Sequence, residues 1–551
     1  MSEKIYTMLA RAFAAEGVDV CFGLMGDGNM HFMTTLAGLP DVRAYFVRHE
    51  HCACTMAAGF SRARDTVGVA SVTCGPGLTQ ITTALASASA SNIPMVIFAG
   101  ESPLGAAWYG QRIEQAPIVV ATGAHYIACH SAKLMAKYVS EAFFIARTQN
   151  RPVVLGVPYD LQQLMVEDDQ PYQPSTDFIP TLAPLQPPPT DVAAARVMIE
   201  AAQRIVVLGG RGARLAGAAD ACRALAARTG ALLATTLPAR GLFCPDPFEL
   251  GVAGGYSSAV TRDMMAKADL IIAVGASLTS YTADSGKLFP GARVIQIDEH
   301  PVGVKHARRT ADHYLRADAR LGVEALIEAV GTRAPQAGWR DAETARRIAQ
   351  EPADTHDFPV PADTIDPRRA VAALDAALPK DWVLVNGTGH NAHFSVHMRG
   401  RKADDFITIR EFGAIGNALS QSIGVAAARP DATVVVIDGD GSVLMHMQEM
   451  ETIRRYNLRI LVCILNDGAY GPEIHRLRAQ GLSDAGAVFG RGDMGRMAEG
   501  YGIRGRVVTA EEQIATLTQA FTASEGPEVW DIHIADTVIS PMTRRSLVKH
   551  G

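Results

Sequence analysis

The stretch VVVIDGDGSVLMHMQEM, residues 434–450, decides the fold. Four apolar residues lead into Asp438-Gly439-Asp440-Gly441, and then Val443, Leu444, Met447 and Met450 recur at helical spacing. The pattern predicts strand, tight turn and helix. After that helix comes LRILVCILNDGAYGPE (458–473), a buried strand ending at Asn466-Asp467-Gly468. Asp440 and Asp467 would then close two strands of one sheet. Either turn alone is ordinary Asp-Gly turn chemistry. Taken together, the two carboxylates suit one hard cation, with turn carbonyls completing an oxygen shell. That cation would lie beside the N-terminus of the helix opened by Ser442, where phosphate is attracted.

Working outward, the same alternation fills the chain. VGVASVTCGPG, IPMVIFAG and RPVVLGVP precede two proline-rich breaks, at 167–191 and 331–367, which read as linkers. RIVVLGG, LIIAVGA and RVIQID lie between the breaks, and WVLVNGTG, TVVVIDGD and RILVCILND follow them. Strands alternating with helices imply right-handed βαβ units. The expected fold is α/β, with three doubly wound parallel-sheet domains at 1–175, 190–335 and 365–551. In such sheets ligands bind beyond the carboxyl ends of the strands, where nearly all of these glycine-rich turns fall.

Composition excludes several classes. The formal charge of −6 offers no basic footprint for nucleic acid. No apolar run approaches the roughly 20 residues needed to span a bilayer. The N-terminus reads as a helix, not a signal peptide. The eight cysteines form no C-x-x-C pair and read as reduced core thiols of a cytoplasmic protein.

Three further motifs carry chemistry. FVRHEHCACTMAAGFSRA (46–63) brings a strand end with Glu50 to a helix of small residues. Alone, Glu50 is a helix-start carboxylate. REFGAIGNALSQSIGVAAA (410–428) places Gly413 and Gly416 where backbones can approach closely. NGTGHN (386–391) ends a strand, with His390 and Asn391 in a glycine turn.

GDG at 439–441, with Asp467 standing 27 residues past Asp440, resembles the signature of thiamine-diphosphate-dependent enzymes. Over nearly its whole length the sequence resembles the pyruvate decarboxylase / acetolactate synthase family. The resemblance implies a pyrimidine-binding, a central and a diphosphate-binding domain, in that order. It implies thiamine diphosphate and Mg²⁺, the metal held by Asp440, Asp467 and the carbonyl of Ala469. The family has Asn where this chain has Asp467. Gly439, Gly441, Ser442, Tyr470, His390 and Asn391 would contact the cofactor. The Gly413 carbonyl would receive its 4′-amino group, and Ile415 would bend it. Glu50 would hydrogen-bond N1′ from a dry pocket, protonated or sharing a proton, so that C2 becomes the ylide from which the enamine chemistry follows.

The implied reaction is cleavage or formation of a C–C bond on a 2-oxo acid or an acyloin-like α-hydroxycarbonyl compound. Asp27, in FGLMGDGN, stands where the decarboxylase also has aspartate and the synthase glycine. Glu473 matches the decarboxylase glutamate, and with Asp27 it would act over C2. The decarboxylase's His-His pair is missing: Gln111 and Arg112 stand nearby, and Glu114 replaces the synthase glutamine. Ser277-Leu278-Thr279-Ser280-Tyr281 replaces the segment by which acetolactate synthases hold FAD, so FAD is not expected. The family's cofactor lies between subunits, which implies a homodimer or homotetramer. Two alternatives stand beside this reading: a nicotinamide-linked oxidoreductase using the central domain, and a noncatalytic thiamine-diphosphate-binding scaffold.

Overall fold

Each third of the chain forms a six-stranded, wholly parallel sheet flanked by helices. The computed structural model describes residues 2–167, 171–301, 311–332 and 336–547. Parts of both proline-rich stretches, at 168–170 and 333–335, lie outside the described residues. Among the described residues no helix is long and apolar enough to cross a membrane. All eight cysteines are free, and seven are buried.

In the first sheet the strands run Arg43–Phe46, Val20–Gly23, Gly68–Val72, Met95–Glu101, Pro152–Pro158, His125–Ala128. The third repeats that order: Phe406–Ile407, Val383–Asn386, Val434–Gly439, Ile460–Asn466, Glu528–His533, Arg504–Val508. In both, the second strand in sequence flanks the first and the third begins the other half, so the order reverses beside the first strand. The middle sheet runs Glu249–Val252, Leu232–Thr235, Ile205–Gly209, Leu270–Val274, Arg293–Asp298, His313–Arg316, the dinucleotide-fold order. Its crevice, however, is closed by backbone. Gly210 N donates to Val274 O at 2.8 Å and Gly212 N to Gly275 O at 3.0 Å. Arg211 and Arg214, in the next short helix, face other domains: Arg211 donates to Ser91 O at 2.7 Å, and Arg214 pairs with Asp65 and Asp404. This glycine turn and the helix after it act as a domain staple.

The apolar runs become strands buried on both faces. Val434 and Val436 face one core, and Val435 and Ile437 face another. The first of these cores spans two domains. It contains helix Glu50–Arg64 of the first and helix Asn417–Ala428 of the third. The two cross at backbone contact, since a Cβ on Gly424 would lie 1.9 Å from Met56 O and one on Gly59 2.4 Å from Gln421 O. Carbonyls inside a helix cannot swing away. Gly424→Val is therefore expected to cost about 3 kcal/mol or more, the upper range for overpacking. A urea midpoint equal to that of the wild type would contradict the close crossing.

The 331–367 stretch is not wholly linker. Helix Ala342–Gln350 forms within it, capped by Asp341, which accepts from Thr344 N at 2.9 Å. Trp339 is buried just before it and donates to Ile205 O at 3.1 Å, and Arg347 pairs with Asp263 and Glu351. The segment is a cap on the middle sheet.

Candidate active site

In the third domain the order reverses between Val383–Asn386 and Val434–Gly439, and the site lies beyond those strand ends. Register pairs Gly439 with Leu465 in the neighbouring strand, so Asp440 and Asp467 emerge side by side. Asp440 Oδ2 accepts from Gly468 N at 3.0 Å, and Asp467 Oδ1 from Ala469 N at 3.3 Å. Both carboxyls are pushed above the usual carboxylate range. Burial is the main cause for each, and the charge of Asp440 adds to it at Asp467. Two neighbouring acids that repel each other, Asp440 buried and Asp467 half-buried, form an incomplete charge set that a hard dication would complete. A β-bridge joins Ala469 and Val488 through Tyr470 N to Ala487 O and Phe489 N to Gly468 O, which leaves the Ala469 carbonyl unclaimed among the described residues. Two carboxylates and one carbonyl fit Mg²⁺ only with further oxygens from a ligand or water. Among the described residues no group of three or more His, Cys, Asp or Glu offers an all-protein site.

A third carboxylate, missed from sequence, organises the loops. Asp438 is wholly buried and pushed up to about 7 by that burial. It accepts from Ser442 Oγ at 2.6 Å, Gly439 N at 2.9 Å and Asn391 Nδ2 at 3.3 Å. Ser442 Oγ in turn accepts from Gly416 N at 2.7 Å. The chain Asn391–Asp438–Ser442–Gly416 thus stitches together three strand-end loops. The signal was there: Asp438 stands two residues before Asp440 at the same strand end.

This network changes the roles of some expected contacts. Asn391 gives its amide to Asp438 and, at 3.4 Å, to Ile437 O, so it acts as a bolt between loops. His390 is buried and neutral, its pKa pushed well down by burial, and its Nε2 accepts from Ser540 N at 3.1 Å. Its proton is therefore on Nδ1, which faces Gly471 at the start of helix Gly471–Ala479. A Cβ on Gly441 would lie 2.7 Å from the Tyr470 ring, so a larger residue there would push that ring aside. Tyr470 packs against Phe489 with ring centroids 5.2 Å apart.

Gly413 has φ +78° and is exposed with its neighbour Phe412, whereas Ile415 is half-buried. Glu50 opens helix Glu50–Arg64 and is half-buried, its Oε1 above Gly77. The Gly77 neighbour Thr73 accepts from Gly28 N at 3.1 Å. Glu50 and the Asp27-Gly28 turn therefore share one end of the first sheet. Asp27 and Glu473 are both exposed, and no contact joins them among the described residues. Within one chain the diphosphate-side residues are assembled, and the first-domain carboxylates form a separate group.

Three family models match in the order of the three sheets. They are the thiamine pyrophosphate enzyme N-terminal TPP binding domain over residues 3–118, the central domain over 192–326 and the C-terminal TPP binding domain over 387–532. The chain belongs to the thiamine-diphosphate enzyme family. Full-length relatives agree. The acetolactate synthase isozyme 2 large subunit of Escherichia coli K12 is 28% identical over 96% of this chain and 94% of its own length. A probable acetolactate synthase large subunit of Methanococcus aeolicus is 25% identical, covering 98% and 93%. Acetolactate synthase 1, chloroplastic, of Nicotiana tabacum is 26% identical, covering 95% and 81%.

Proposed function

We propose that this chain is a decarboxylase or carboligase of the acetolactate synthase-like kind. It would cleave or form a C–C bond beside the carbonyl of a 2-oxo acid or a related α-hydroxycarbonyl compound. One observation carries the reading: a half-buried glutamate opens a helix at the carboxyl end of the first sheet, in a chain whose third sheet brings two carboxylates together at its own strand ends. A scaffold that only retained cofactor would have no use for Glu50. Bound thiamine diphosphate supplies a carbon nucleophile at C2 and stores electrons released from the substrate.

In this reading Asp440, Asp467 and Ala469 O hold Mg²⁺ against the diphosphate. The 440–442 amides would face the phosphate oxygens, with His390 beside them at the start of helix Gly471–Ala479. Glu50 holds a proton at N1′. Exposed Phe412 and Gly413 await the first domain of a second copy, which would contribute Glu50 and Asp27. The test is a screen of 2-oxo acids and acyloins with thiamine diphosphate and Mg²⁺, following CO₂ and products by NMR. Turnover of none of them, by protein loaded with both, overturns the reading.

Metal and diphosphate are expected to bind cooperatively, because the protein alone supplies too few ligands for octahedral Mg²⁺. Calorimetric titration should give much tighter Mg²⁺ binding in the presence of thiamine diphosphate. Equal affinities would contradict a shared site.

Glu473 is the proposed proton donor late in the cycle. Glu473→Gln should shift the product ratio from protonated aldehyde toward ligated product when an aldehyde acceptor is added. An unchanged ratio would return Glu473 to a solvated carboxylate in the first turn of its helix.

A further inference from the structure

The direction of Glu50 is set by the turn between strand Arg43–Phe46 and helix Glu50–Arg64. That turn is held from outside its own domain. Glu449, wholly buried in the third domain, accepts from Arg48 N at 3.0 Å through Oε1 and from Thr452 Oγ1 at 2.7 Å through Oε2. Two neighbours join the grip. Tyr456 Oη accepts from Phe46 N at 2.7 Å, and Arg48 Nε meets Glu451 Oε2 at 3.1 Å. Burying a carboxylate is costly unless hydrogen bonds compensate. If this position served packing alone, an apolar side chain of similar size would do as well. Instead both oxygens of Glu449 are used, one on the backbone two residues before Glu50.

We propose that Glu449 is a positioning residue for Glu50. Its carboxylate crosses the domain boundary to fix the 47–49 turn, and so the point at which the Glu50 carboxyl meets the aminopyrimidine of the cofactor. The proposal rests on the functional reading above, since it gives Glu50 a partner to meet. Glu449 itself touches neither cofactor nor substrate.

The test uses the full chain and three substitutions: Glu449→Ala, Glu449→Gln and Thr452→Val. One readout is the rate at which bound thiamine diphosphate exchanges its C2 proton for deuterium without substrate. The other, on cofactor-free protein, is amide hydrogen exchange over residues 44–52. Glu449→Ala should expose the 46–48 amides and slow C2 exchange about 10–100-fold, the scale of an ångström-sized misplacement. Cofactor affinity should move far less, since the diphosphate-side residues are untouched. Glu449→Gln keeps an acceptor for Arg48 N and should restore most of the exchange rate. If Glu449→Ala does not fold, Thr452→Val still frees Oε2 and should give a smaller effect of the same kind. Wild-type amide protection and C2 exchange in Glu449→Ala, or in Thr452→Val where that is the variant that folds, overturns the proposal. Glu50→Gln separates the two levels: if it leaves C2 exchange unchanged, the functional reading itself fails.

Discussion

Glu50→Gln protein, saturated with cofactor, is expected to turn over about 10²–10⁴-fold more slowly than the wild type, the usual cost of losing a proton-transfer partner. The fold and the cofactor affinity should survive. Glu50 sits at a helix start, half-buried, and glutamine occupies the same volume. The residues proposed to hold diphosphate and metal lie in another domain and do not involve it. What is lost is an acid able to hold a proton at N1′, which glutamine cannot exchange. The comparison is steady-state kcat at saturating thiamine diphosphate and Mg²⁺, with affinity measured separately. A normal kcat would remove Glu50 from the chemistry.

Asp440→Asn is expected to move binding and stability in opposite directions. Asparagine still accepts from Gly468 N, so the turn is kept. The charge that repels Asp467 is gone, and the cofactor-free protein should gain about 1–2 kcal/mol at neutral pH. The same change removes a charged oxygen from the proposed cation site, and affinity for Mg²⁺ with thiamine diphosphate should fall by at least the roughly 10–100-fold lost when only a partner of a metal ligand is removed. Sites that hold strain or repulsion in readiness for a ligand commonly trade stability for function in this way. Urea unfolding of the cofactor-free variant, paired with calorimetry, checks both halves. A destabilised variant, or one with unchanged affinity, would contradict the repelling pair.

The three sheets were legible because their strands are continuous apolar runs ending in glycine turns, as in 434–439 and 460–468. Strand neighbours beyond the first pair were not, since periodicity carries no information on order across a sheet. Helix Ala342–Gln350 was hidden by its composition. Ile348 is its one large buried apolar residue, and its position depends on Trp339 before it and on Arg347 pairing with Asp263 of the middle domain. Asp440 and Asp467 could be read because each ends a strand. Asn391 could be located but not understood, because its partner Asp438 lies 47 residues away in sequence. Glu449 gave no signal at all. In sequence it is one acidic residue in an amphipathic helical run, and its role exists only where Arg48 meets it across a domain boundary.

The glycine crossing of helices Glu50–Arg64 and Asn417–Ala428 has a mechanical consequence. Where side chains mesh, two helices can slide by exchanging rotamers; where peptide groups touch, nothing is left to rearrange. The first and third domains of a chain are thus riveted, and the chain has no jaw there that opens to admit its cofactor. Access must come from the rim. Phe412 and Gly413, exposed and with Gly413 in a left-handed conformation, form that rim, and Glu411 beside them is anchored to Ser91 of the first domain.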